Sequence, residues 1–584
     1  MKISDYIISF LVQEKINFLF EICGGVTTHL LDSIYLQKKL SAVSTHHEQA
    51  AAMAAEGYAR INRKMGVAMA TSGPGATNLI TGIGSCFFDS VPALFITGQV
   101  NTYEFKLDKP VRQVGFQETK IVQIVKPLMK YAVRVTNPHK IRYHLEKAVY
   151  LAHSGRPGPV LLDLPMNIQR QEIKPSVLEA FPIPQNPQSE FKIKTSTYKT
   201  IIKLLKNSHR PVILVGGGVR TAGAESELVK LIKKIQVPVV TSLMGIDALS
   251  HDSPLHVGMI GTYGNRYANL AVANADFLLV LGSRLDTRQT GTKPKTFARA
   301  AKIIHVDVDP QELDNKVKTY LAIQADLKDF LIALNENLAN DKIDKFKPWL
   351  DQISIYKKRY PSFVTKNMGQ INPNDLMNRL SSYLPTDGVV SVDVGQNQMW
   401  AAQSLKIGSK QRFLTQGGMA ALGSALPMAI GASFANPHRT IVVIAGDGGF
   451  QFSLQELETI KHYNLPIKII LLNNHCYGMV KQFQEQYFAG RFQSTVLGYS
   501  APDFVKVAKA FGLKAFKISR SQQIEIALGE LFNDKQSQLL EIDLSSSCQT
   551  WPKLSVDQPI ENQDPLLPKK ELQSNMLIPL VNSV

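Results

Sequence analysis

Residues 441–474 read IVVIAGDGGFQFSLQELETIKHYNLPIKIILLNN, with two apolar runs that are each followed by glycines or asparagines. The β-branched run from Ile441 to Ile444 predicts a buried strand that stops at glycines. A helix is expected from Ser453 to Tyr463, and a second apolar strand, Ile467 to Leu472, ends in two asparagines. Parallel strands joined in this way have both carboxyl ends at one sheet edge, where open α/β sheets bind ligands.

Polar side chains and glycines follow both predicted strands. Asp447 offers an anionic carboxylate oxygen and Asn474 a neutral amide oxygen; Mg²⁺ prefers oxygen ligands and usually shares them with substrate phosphates. Gly446, Gly448 and Gly449 let backbone N–H groups approach a diphosphate closely. Asp-Gly alone is ordinary turn chemistry, but its pairing with two asparagines across one strand–helix–strand unit predicts a Mg²⁺ and diphosphate site.

Composition narrows the class of protein. The chain has 584 residues, 44% hydrophobic and 19% charged, which predicts two to four globular domains. No apolar run is long enough to span a bilayer and the N-terminus lacks the features of a signal peptide, so no membrane partner is expected. Four scattered cysteines fit a reducing cytoplasm. The net charge of +17 indicates a solvated basic surface, since nucleic-acid-binding motifs are missing; an anionic substrate is the alternative.

The GDG–NN pattern resembles the thiamine diphosphate (ThDP) motif of the thiamine-dependent decarboxylase and carboligase superfamily. The resemblance implies that Asp447, Asn474 and the backbone carbonyl of Cys476 hold the Mg²⁺ that anchors the cofactor. Residues 42–60, AVSTHHEQAAAMAAEGYAR, resemble the pyrimidine-binding domain of the acetohydroxyacid (acetolactate) synthase branch. That resemblance makes Glu48 the catalytic acid/base at the cofactor's pyrimidine ring.

Further cofactor contacts are implied by the same resemblance. Asn78 is expected to open a helix after the Gly73-Pro74-Gly75 turn. Asn397 stands where the family motif has histidine and is expected to keep a donated hydrogen bond to phosphate. Leu422 is expected to wedge under the thiazolium ring, where the family usually has methionine. The whole set of cofactor-binding residues expected, besides the metal ligands and glycines above, is Gly25, Gly73, Asn78, Gln396, Asn397, Met419, Leu422 and Met479.

The acceptor substrate is less defined. The Phe116-Gln117 pair resembles a family pair near the second substrate, and the segment after the asparagines resembles the family's GMV-x-Q-W, with Phe483 in place of tryptophan. In that family the tryptophan favours 2-ketobutyrate, so the smaller ring leaves the acceptor open. The Pro-rich C-terminus resembles instead a subgroup that transfers the acetyl unit of pyruvate to a nucleotide-linked 4-keto sugar.

Three α/β units of doubly wound parallel sheet are expected. They are an N-terminal pyrimidine-binding domain (residues 1–185), a central domain (195–340) and a C-terminal diphosphate-binding domain (370–550), with a tail at 551–584. In acetohydroxyacid synthases the central domain carries FAD, whereas related catabolic enzymes have lost it, so the flavin stays open. The residues at the matching FAD positions are Gly216, Gly217, Gly218, Arg284, Asp307 and Asp309.

The resemblance covers roughly residues 1–550 and implies an acetolactate synthase-type carboligase. Such an enzyme decarboxylates pyruvate and transfers the two-carbon unit to a second 2-keto acid. The alternatives are transfer to a nucleotide keto sugar, another ThDP decarboxylase or oxidase, and a non-enzymatic relative, which would have lost Glu48, Asp447 or Asn474. A cofactor shared between subunits makes a homodimer the minimum active unit, and a homotetramer is plausible.

Overall fold

The computed structural model describes residues 1–184, 192–338, 343–363 and 369–581. Within these residues the chain forms three six-stranded sheets, each parallel throughout and covered by helices. The expected α/β class with three doubly wound parallel sheets is therefore confirmed. The expected domain ends at residues 185 and 340 lie outside the described residues, as do parts of both expected linkers. No helix in the described ranges is long and apolar enough to cross a membrane.

The N-terminal sheet has the order β2-β1-β3-β4-β6-β5. Its central strands are buried along their whole length, which explains their nearly continuous apolar sequences. The strands are β1 (Phe18–Glu21), β2 (Ser41–Ser44), β3 (Gly66–Ala70), β4 (Ala93–Gln99), β5 (Tyr131–Arg134) and β6 (Pro159–Pro165); the helices are α1 (Ile3–Gln13), α2 (Thr28–Leu36), α3 (Glu48–Asn62), α4 (Pro74–Asn78), α5 (Ile80–Phe88), α6 (Ile121–Val125), α7 (Ile141–His153) and α8 (Met166–Gln169).

The central sheet has the order β12-β11-β10-β7-β8-β9. Its strands are β7 (Pro211–Val215), β8 (Val239–Thr241), β9 (His256–Met259), β10 (Phe277–Leu281), β11 (Lys302–Asp307) and β12 (Leu321–Gln324). The helices around it are α9 (Thr195–Asn207), α10 (Gly218–Thr221), α11 (Glu225–Ile235), α12 (Arg266–Ala273), α13 (Thr287–Thr290), α14 (Leu327–Asn337) and α15 (Lys347–Arg359).

The C-terminal sheet has the order β14-β13-β15-β16-β18-β17, so the two strands of the opening stretch are neighbours at its centre. Its strands are β13 (Val389–Val392), β14 (Arg412–Leu414), β15 (Ile441–Gly446), β16 (Ile467–Asn473), β17 (Lys514–Ile518) and β18 (Gln538–Asp543); the helices are α16 (Pro373–Leu380), α17 (Gln396–Ser404), α18 (Ala425–Ala435), α19 (Asp447–Phe450), α20 (Glu456–His462), α21 (Gly478–Tyr487), α22 (Phe504–Ala510) and α23 (Ile524–Asn533).

The N- and C-terminal units share one hydrophobic core. Helix α3 crosses α18 closely, and small residues on both helices belong to the same buried cluster. A Cβ at Gly57 would lie 2.1 Å from the Met428 carbonyl oxygen, and one at Gly431 would lie 1.8 Å from that of Ala54. Glycine at both positions therefore allows the two backbones to touch, and this contact fixes the start of α3 relative to the C-terminal sheet.

The segment after residue 550 is folded onto the central unit. It contains β19 (Lys553–Leu554), β20 (Gln563–Asp564) and α24 (Lys569–Asn575). Arg266 donates to the Pro565 carbonyl oxygen at 2.7 Å, and the Tyr356 hydroxyl donates to that of Asn575 at 2.7 Å.

Two local predictions were wrong. The helix expected from Ser453 to Tyr463 begins only at Glu456, because a short helix already starts at Asp447, directly after the strand. Asn78 does not open a helix: it ends α4, which starts at Pro74, since a proline suits the first turn of a helix.

Candidate active site

The carboxyl ends of β15 and β16 lie side by side, as the opening stretch predicts. Gly446 pairs with Leu472 in the parallel register, so Asp447 and Asn474 leave the sheet at the same edge. Asp447 begins α19, and Asn474 follows β16 directly. Both side chains are buried.

Three oxygen atoms converge at this edge. The Asn474 side-chain oxygen lies 3.2 Å from Asp447 Oδ1 and 3.0 Å from the Cys476 carbonyl oxygen, while its amide nitrogen donates to Gln396 Oε1 at 2.9 Å. Oxygens this close with no proton between them repel each other unless a cation lies among them. Adjacent ligands in an octahedral Mg²⁺ shell are about 3.0 Å apart, as metal–oxygen distances of about 2.1 Å require. The opposite amide orientation would let the Asn474 nitrogen donate to Asp447 Oδ1 and to the Cys476 carbonyl oxygen, but it would turn the side-chain oxygen towards the acceptor Gln396 Oε1 at 2.9 Å. The orientation with the Asn474 oxygen in the cluster avoids that contact and fits a cation site.

This cluster contains one carboxylate and two neutral oxygens. Within the described ranges no group of three or more His, Cys, Asp or Glu side chains is placed to hold a metal. A cation here would accordingly leave half of an octahedral coordination shell to ligand phosphates and water, as Mg²⁺ commonly does.

Surrounding side chains fix the orientation of the oxygen cluster. The Tyr499 hydroxyl donates to Asp447 Oδ2 at 2.7 Å. Burial raises the pKa of Asp447, and this hydrogen bond opposes the increase. Burial and the neighbouring carboxylate raise the pKa of Tyr499 well above its ordinary value, so the hydroxyl keeps its proton and is the donor. Gln396 in turn donates to Gln482 Oε1 at 3.2 Å.

Close packing leaves no room for larger residues beside these ligands. A Cβ on Gly448 would lie 2.6 Å from the Tyr477 ring, and a Cβ on Gly478 would lie 2.0 Å from Gln396 Oε1. Gly448 and Gly478, the first residue of α21, therefore both allow the close packing around the oxygen cluster.

Asp393 joins the GDG turn to the loop that contains Leu422. Its carboxylate accepts backbone hydrogen bonds from Gly423 at 3.1 Å and from Ser424 at 3.2 Å. A Cβ on Gly449 would lie 2.4 Å from Asp393 Oδ2. Burial raises the pKa of Asp393 to about 6. Asp393 is not predicted from the sequence, because an aspartate at a strand end is not distinctive by itself.

The loop before Leu422 is held by the N-terminal unit. Gln416 donates to Glu56 Oε2 at 2.9 Å, and the backbone N–H of Gly418 donates to Asp89 Oδ1 at 2.8 Å. Met419 contacts the α5 helix, since a Cβ on Gly84 would lie 3.2 Å from its sulfur. Burial raises the pKa of Glu56 to about 7, against the effect of Arg60.

The Asn397 side chain is hydrogen-bonded to the backbone. Its amide nitrogen donates to the Asp393 carbonyl oxygen at 2.6 Å, so its oxygen is the atom that faces Gly446. The expected contact between Asn397 and a phosphate stays a prediction.

Glu48 lies at the first position of α3, half-buried. Asn78 donates to its Oε2 at 2.9 Å, and Gly75 leaves space beside its Oε1. Within the described part of the chain no hydrogen bond joins Glu48 to the oxygen cluster of Asp447. The candidate residues thus form two groups, one on each end unit of the chain.

The expected acceptor residues also divide between these groups. Gln117 packs against Gly73 on the Glu48 side, while Phe116 beside it is 83% exposed. Phe483, on α21, is 42% exposed and packs against Tyr487, with ring centroids 4.6 Å apart and ring planes tilted by 44°. The Lys553 ammonium lies 5.4 Å from the Phe483 ring centroid, so the C-terminal segment contacts this site.

Gly25 lies on the surface of the N-terminal unit, before α2, where a Cβ would meet nothing within 4 Å.

A cavity of about 710 Å³ runs from the central unit towards the C-terminal sheet. Of the expected flavin-site residues, Gly217, Gly218, Arg284 and Asp307 line it, and so does Met479 of α21. Burial raises the pKa of Asp307 to about 6. The other two expected residues do not line it but contact residues that do: Gly216 lies against the Gly282 carbonyl, and Asp309 pairs with Arg156 at 3.1 Å.

Comparison with protein-family models finds all three units of the thiamine pyrophosphate enzymes. The N-terminal TPP binding domain matches residues 1–124, the central domain matches residues 198–334, and the C-terminal TPP binding domain matches residues 393–542.

Curated relatives match over almost the whole chain. A probable acetolactate synthase large subunit of Methanocaldococcus jannaschii is 38% identical over 554 residues, covering 93% of this chain and 92% of the relative. The acetolactate synthase large subunit of Lactococcus lactis is 34% identical over 552 residues, covering 94% of each chain. Acetolactate synthase 1, chloroplastic, of Zea mays is 35% identical over 558 residues, covering 92% of this chain and 85% of the relative. The chain therefore belongs to the acetolactate synthase large-subunit family of thiamine pyrophosphate enzymes.

Proposed function

We propose that the chain converts two molecules of pyruvate into 2-acetolactate and CO₂. The observation that carries the proposal is the cluster of three facing oxygens at Asp447, Asn474 and Cys476, in a chain of this family. The matches to two TPP binding domains indicate thiamine diphosphate as the cofactor. When bound, it supplies the carbanion chemistry of decarboxylation and carbon–carbon bond formation.

The oxygen cluster would hold Mg²⁺ between the protein and the cofactor's diphosphate. The donor set fits, because the Asn474 oxygen lies 3.2 Å and 3.0 Å from the other two oxygens, the spacing of adjacent ligands of one octahedral cation. Gly446 and Gly448 leave the backbone of the turn accessible to phosphate oxygens. Leu422 would support the cofactor from the loop that Asp393 anchors.

Glu48 would hold a proton at its carboxylate for exchange with the cofactor's pyrimidine ring. Its position fits this role, since it is half-buried, fixed by Asn78, and bordered by a glycine that leaves one face open. The acceptor would lie beside Phe116, Gln117 and Phe483. A pyruvate acceptor would need less space there than a larger 2-keto acid.

A homodimer is part of the proposal, because Glu48 and the Asp447 cluster form separate groups within one chain. Large apolar side chains are exposed near both, including Phe116 at 83% and Phe452 at 53%. Pairing the Glu48 side of one copy with the Asp447 side of another would cover these surfaces. Sedimentation would then give at least twice the chain mass of 64.7 kDa.

FAD is a second cofactor proposal, carried by the cavity of the central unit. The backbone of Gly217 and Gly218, the cation of Arg284 and the carboxylate of Asp307 supply dinucleotide-binding chemistry along its wall. Heat denaturation of the purified protein would release a yellow chromophore if FAD copurifies; a colourless protein that takes up no added FAD would contradict this assignment.

We also propose a cytoplasmic location, which the four free cysteines suit.

The acceptor decides between the two substrate alternatives. The relatives described above are named acetolactate synthases and do not favour a nucleotide keto sugar. The test is to incubate the protein with ThDP, Mg²⁺ and pyruvate, with and without a nucleotide-linked 4-keto sugar, and to identify products by mass. Acetolactate from pyruvate alone is expected; a branched sugar product without acetolactate would overturn the proposal.

A further inference from the structure

The two carboxylate oxygens of Asp447 have different contacts. Oδ1 faces the Asn474 oxygen at 3.2 Å, within the cation site, whereas Oδ2 points away and accepts the Tyr499 hydroxyl at 2.7 Å. A carboxylate with both oxygens free could rotate or bind a cation through both of them. The hydrogen bond to Tyr499 removes this freedom.

Tyr499 is itself held in place. Its ring packs edge-on against that of Tyr477, with centroids 4.8 Å apart, and Tyr477 fills the space beside Gly448. The Gln451 amide approaches the Tyr499 hydroxyl at 3.4 Å, which leaves the hydroxyl proton for Asp447. Contacts with the Tyr477 ring, the Gln451 amide and the Asp447 carboxylate therefore determine the orientation of the hydroxyl.

The segment before Tyr499 is attached to helix α21. The Thr495 carbonyl oxygen accepts from the Tyr477 backbone N–H at 3.1 Å, and the Thr495 hydroxyl donates to Gln484. Helix α21 contains Met479, which lines the large cavity, and the exposed Phe483. Tyr499 thus connects the cation site to the helix of the expected acceptor residue.

We propose that Tyr499 is a positioning residue for the cation: by holding Oδ2 of Asp447, it presents Oδ1 alone to Mg²⁺ and sets the affinity of the metal-anchored cofactor. This inference rests on the proposed function and adds to it a residue that neither the motif nor the family match assigns. Partners that orient a metal ligand typically change metal affinity about 10–100-fold when they are removed.

The test measures Mg²⁺ binding directly, without pyruvate. The full-length protein and its Tyr499→Phe variant are titrated with Mg²⁺ in the presence of ThDP, by calorimetry or by intrinsic fluorescence. The variant should bind Mg²⁺ about 10–100-fold more weakly, with the same melting temperature as the unsubstituted protein when no metal is added. Tyr383→Phe is the matched control, because its hydroxyl also donates to a carboxylate at 2.7 Å, that of Glu525 on the surface.

A second variant separates positioning from packing. Tyr499→Leu removes the ring that packs on Tyr477 as well as the hydroxyl. The Phe variant should already lose most of the Mg²⁺ affinity that the Leu variant loses, whereas a loss confined to the Leu variant would overturn the proposal. An unchanged Mg²⁺ affinity in Tyr499→Phe would also overturn it while leaving the metal site intact. Absence of Mg²⁺-dependent ThDP binding in the unsubstituted protein would instead refute the metal site itself, and this role with it.

Discussion

Replacing Gly478 by alanine is expected to weaken Mg²⁺-dependent binding of ThDP, although Gly478 provides no ligand atom. A Cβ at this position would lie 2.0 Å from Gln396 Oε1 and 2.7 Å from Asn474 Nδ2. An ordinary contact needs about 3.2 Å or more, so Gln396 must move by roughly 1 Å. That movement breaks the 2.9 Å hydrogen bond that orients the Asn474 amide.

The size of the effect follows from this hydrogen bond. Losing it costs about 0.5–1.5 kcal/mol, and leaving a buried amide unpaired raises the cost to about 1–3 kcal/mol. Because about 1.4 kcal/mol is tenfold in affinity, the apparent Kd for ThDP at fixed Mg²⁺ should rise roughly 5–150-fold. Calorimetric titration with ThDP at several Mg²⁺ concentrations measures this change without any turnover.

Gly529→Ala is the matched control, since this glycine lies within helix α23 and a Cβ there would meet nothing within 4 Å. It should leave ThDP affinity unchanged and stabilise the fold slightly, by up to about 1 kcal/mol. Equal ThDP affinity in Gly478→Ala and the unsubstituted protein would refute the claim that Gln396 and Asn474 form the cation site's support.

The remaining predictions concern catalysis, the metal and pH. Glu48→Gln should retain ThDP binding and lose most acetolactate formation, at least about 100-fold as for other general acid/base residues; full activity would remove Glu48 from the mechanism. Asp447→Ala should abolish Mg²⁺-dependent ThDP binding, and normal cofactor affinity would contradict the metal assignment. Burial raises the pKa of Glu56 on folding from 4.5 to about 7, so the contribution of Glu56 to the free energy of unfolding is greatest at low pH and falls as pH rises to 7, by about 3 kcal/mol. Glu56→Gln should flatten the decline of the melting temperature between about pH 5 and pH 7; an unchanged slope would show that Glu56 titrates normally.

The centre of the C-terminal sheet could be predicted from sequence because its signals are local. β-branched runs, glycines and the asparagine pair fall within 34 residues, and parallel connectivity then places Asp447 beside Asn474. The start of α20 was predicted three residues early, because GDGG looks like a turn in sequence while its residues form a short helix at the strand end.

The long-range hydrogen bonds that hold the site's side chains and loops in place could not be predicted in this way. Tyr499 follows Asp447 by 52 residues, in a loop without periodicity. Glu56 and Gln416 are 360 residues apart, and nothing in either sequence neighbourhood indicates the other. The segment after residue 550 looked like a tail because of its prolines, yet arginine and tyrosine side chains of the preceding units bind its backbone. Such long-range hydrogen bonds depend on the assembled fold.

Carboligation and simple decarboxylation differ in the ratio of CO₂ released to pyruvate consumed. Purified protein with ThDP and Mg²⁺ would be given carboxyl-labelled pyruvate alone, with CO₂, acetolactate and acetaldehyde measured in the same reaction. One CO₂ and one acetolactate are expected for every two pyruvates consumed, with little acetaldehyde. One CO₂ per pyruvate with acetaldehyde as the product would contradict carboligation and identify simple decarboxylation instead.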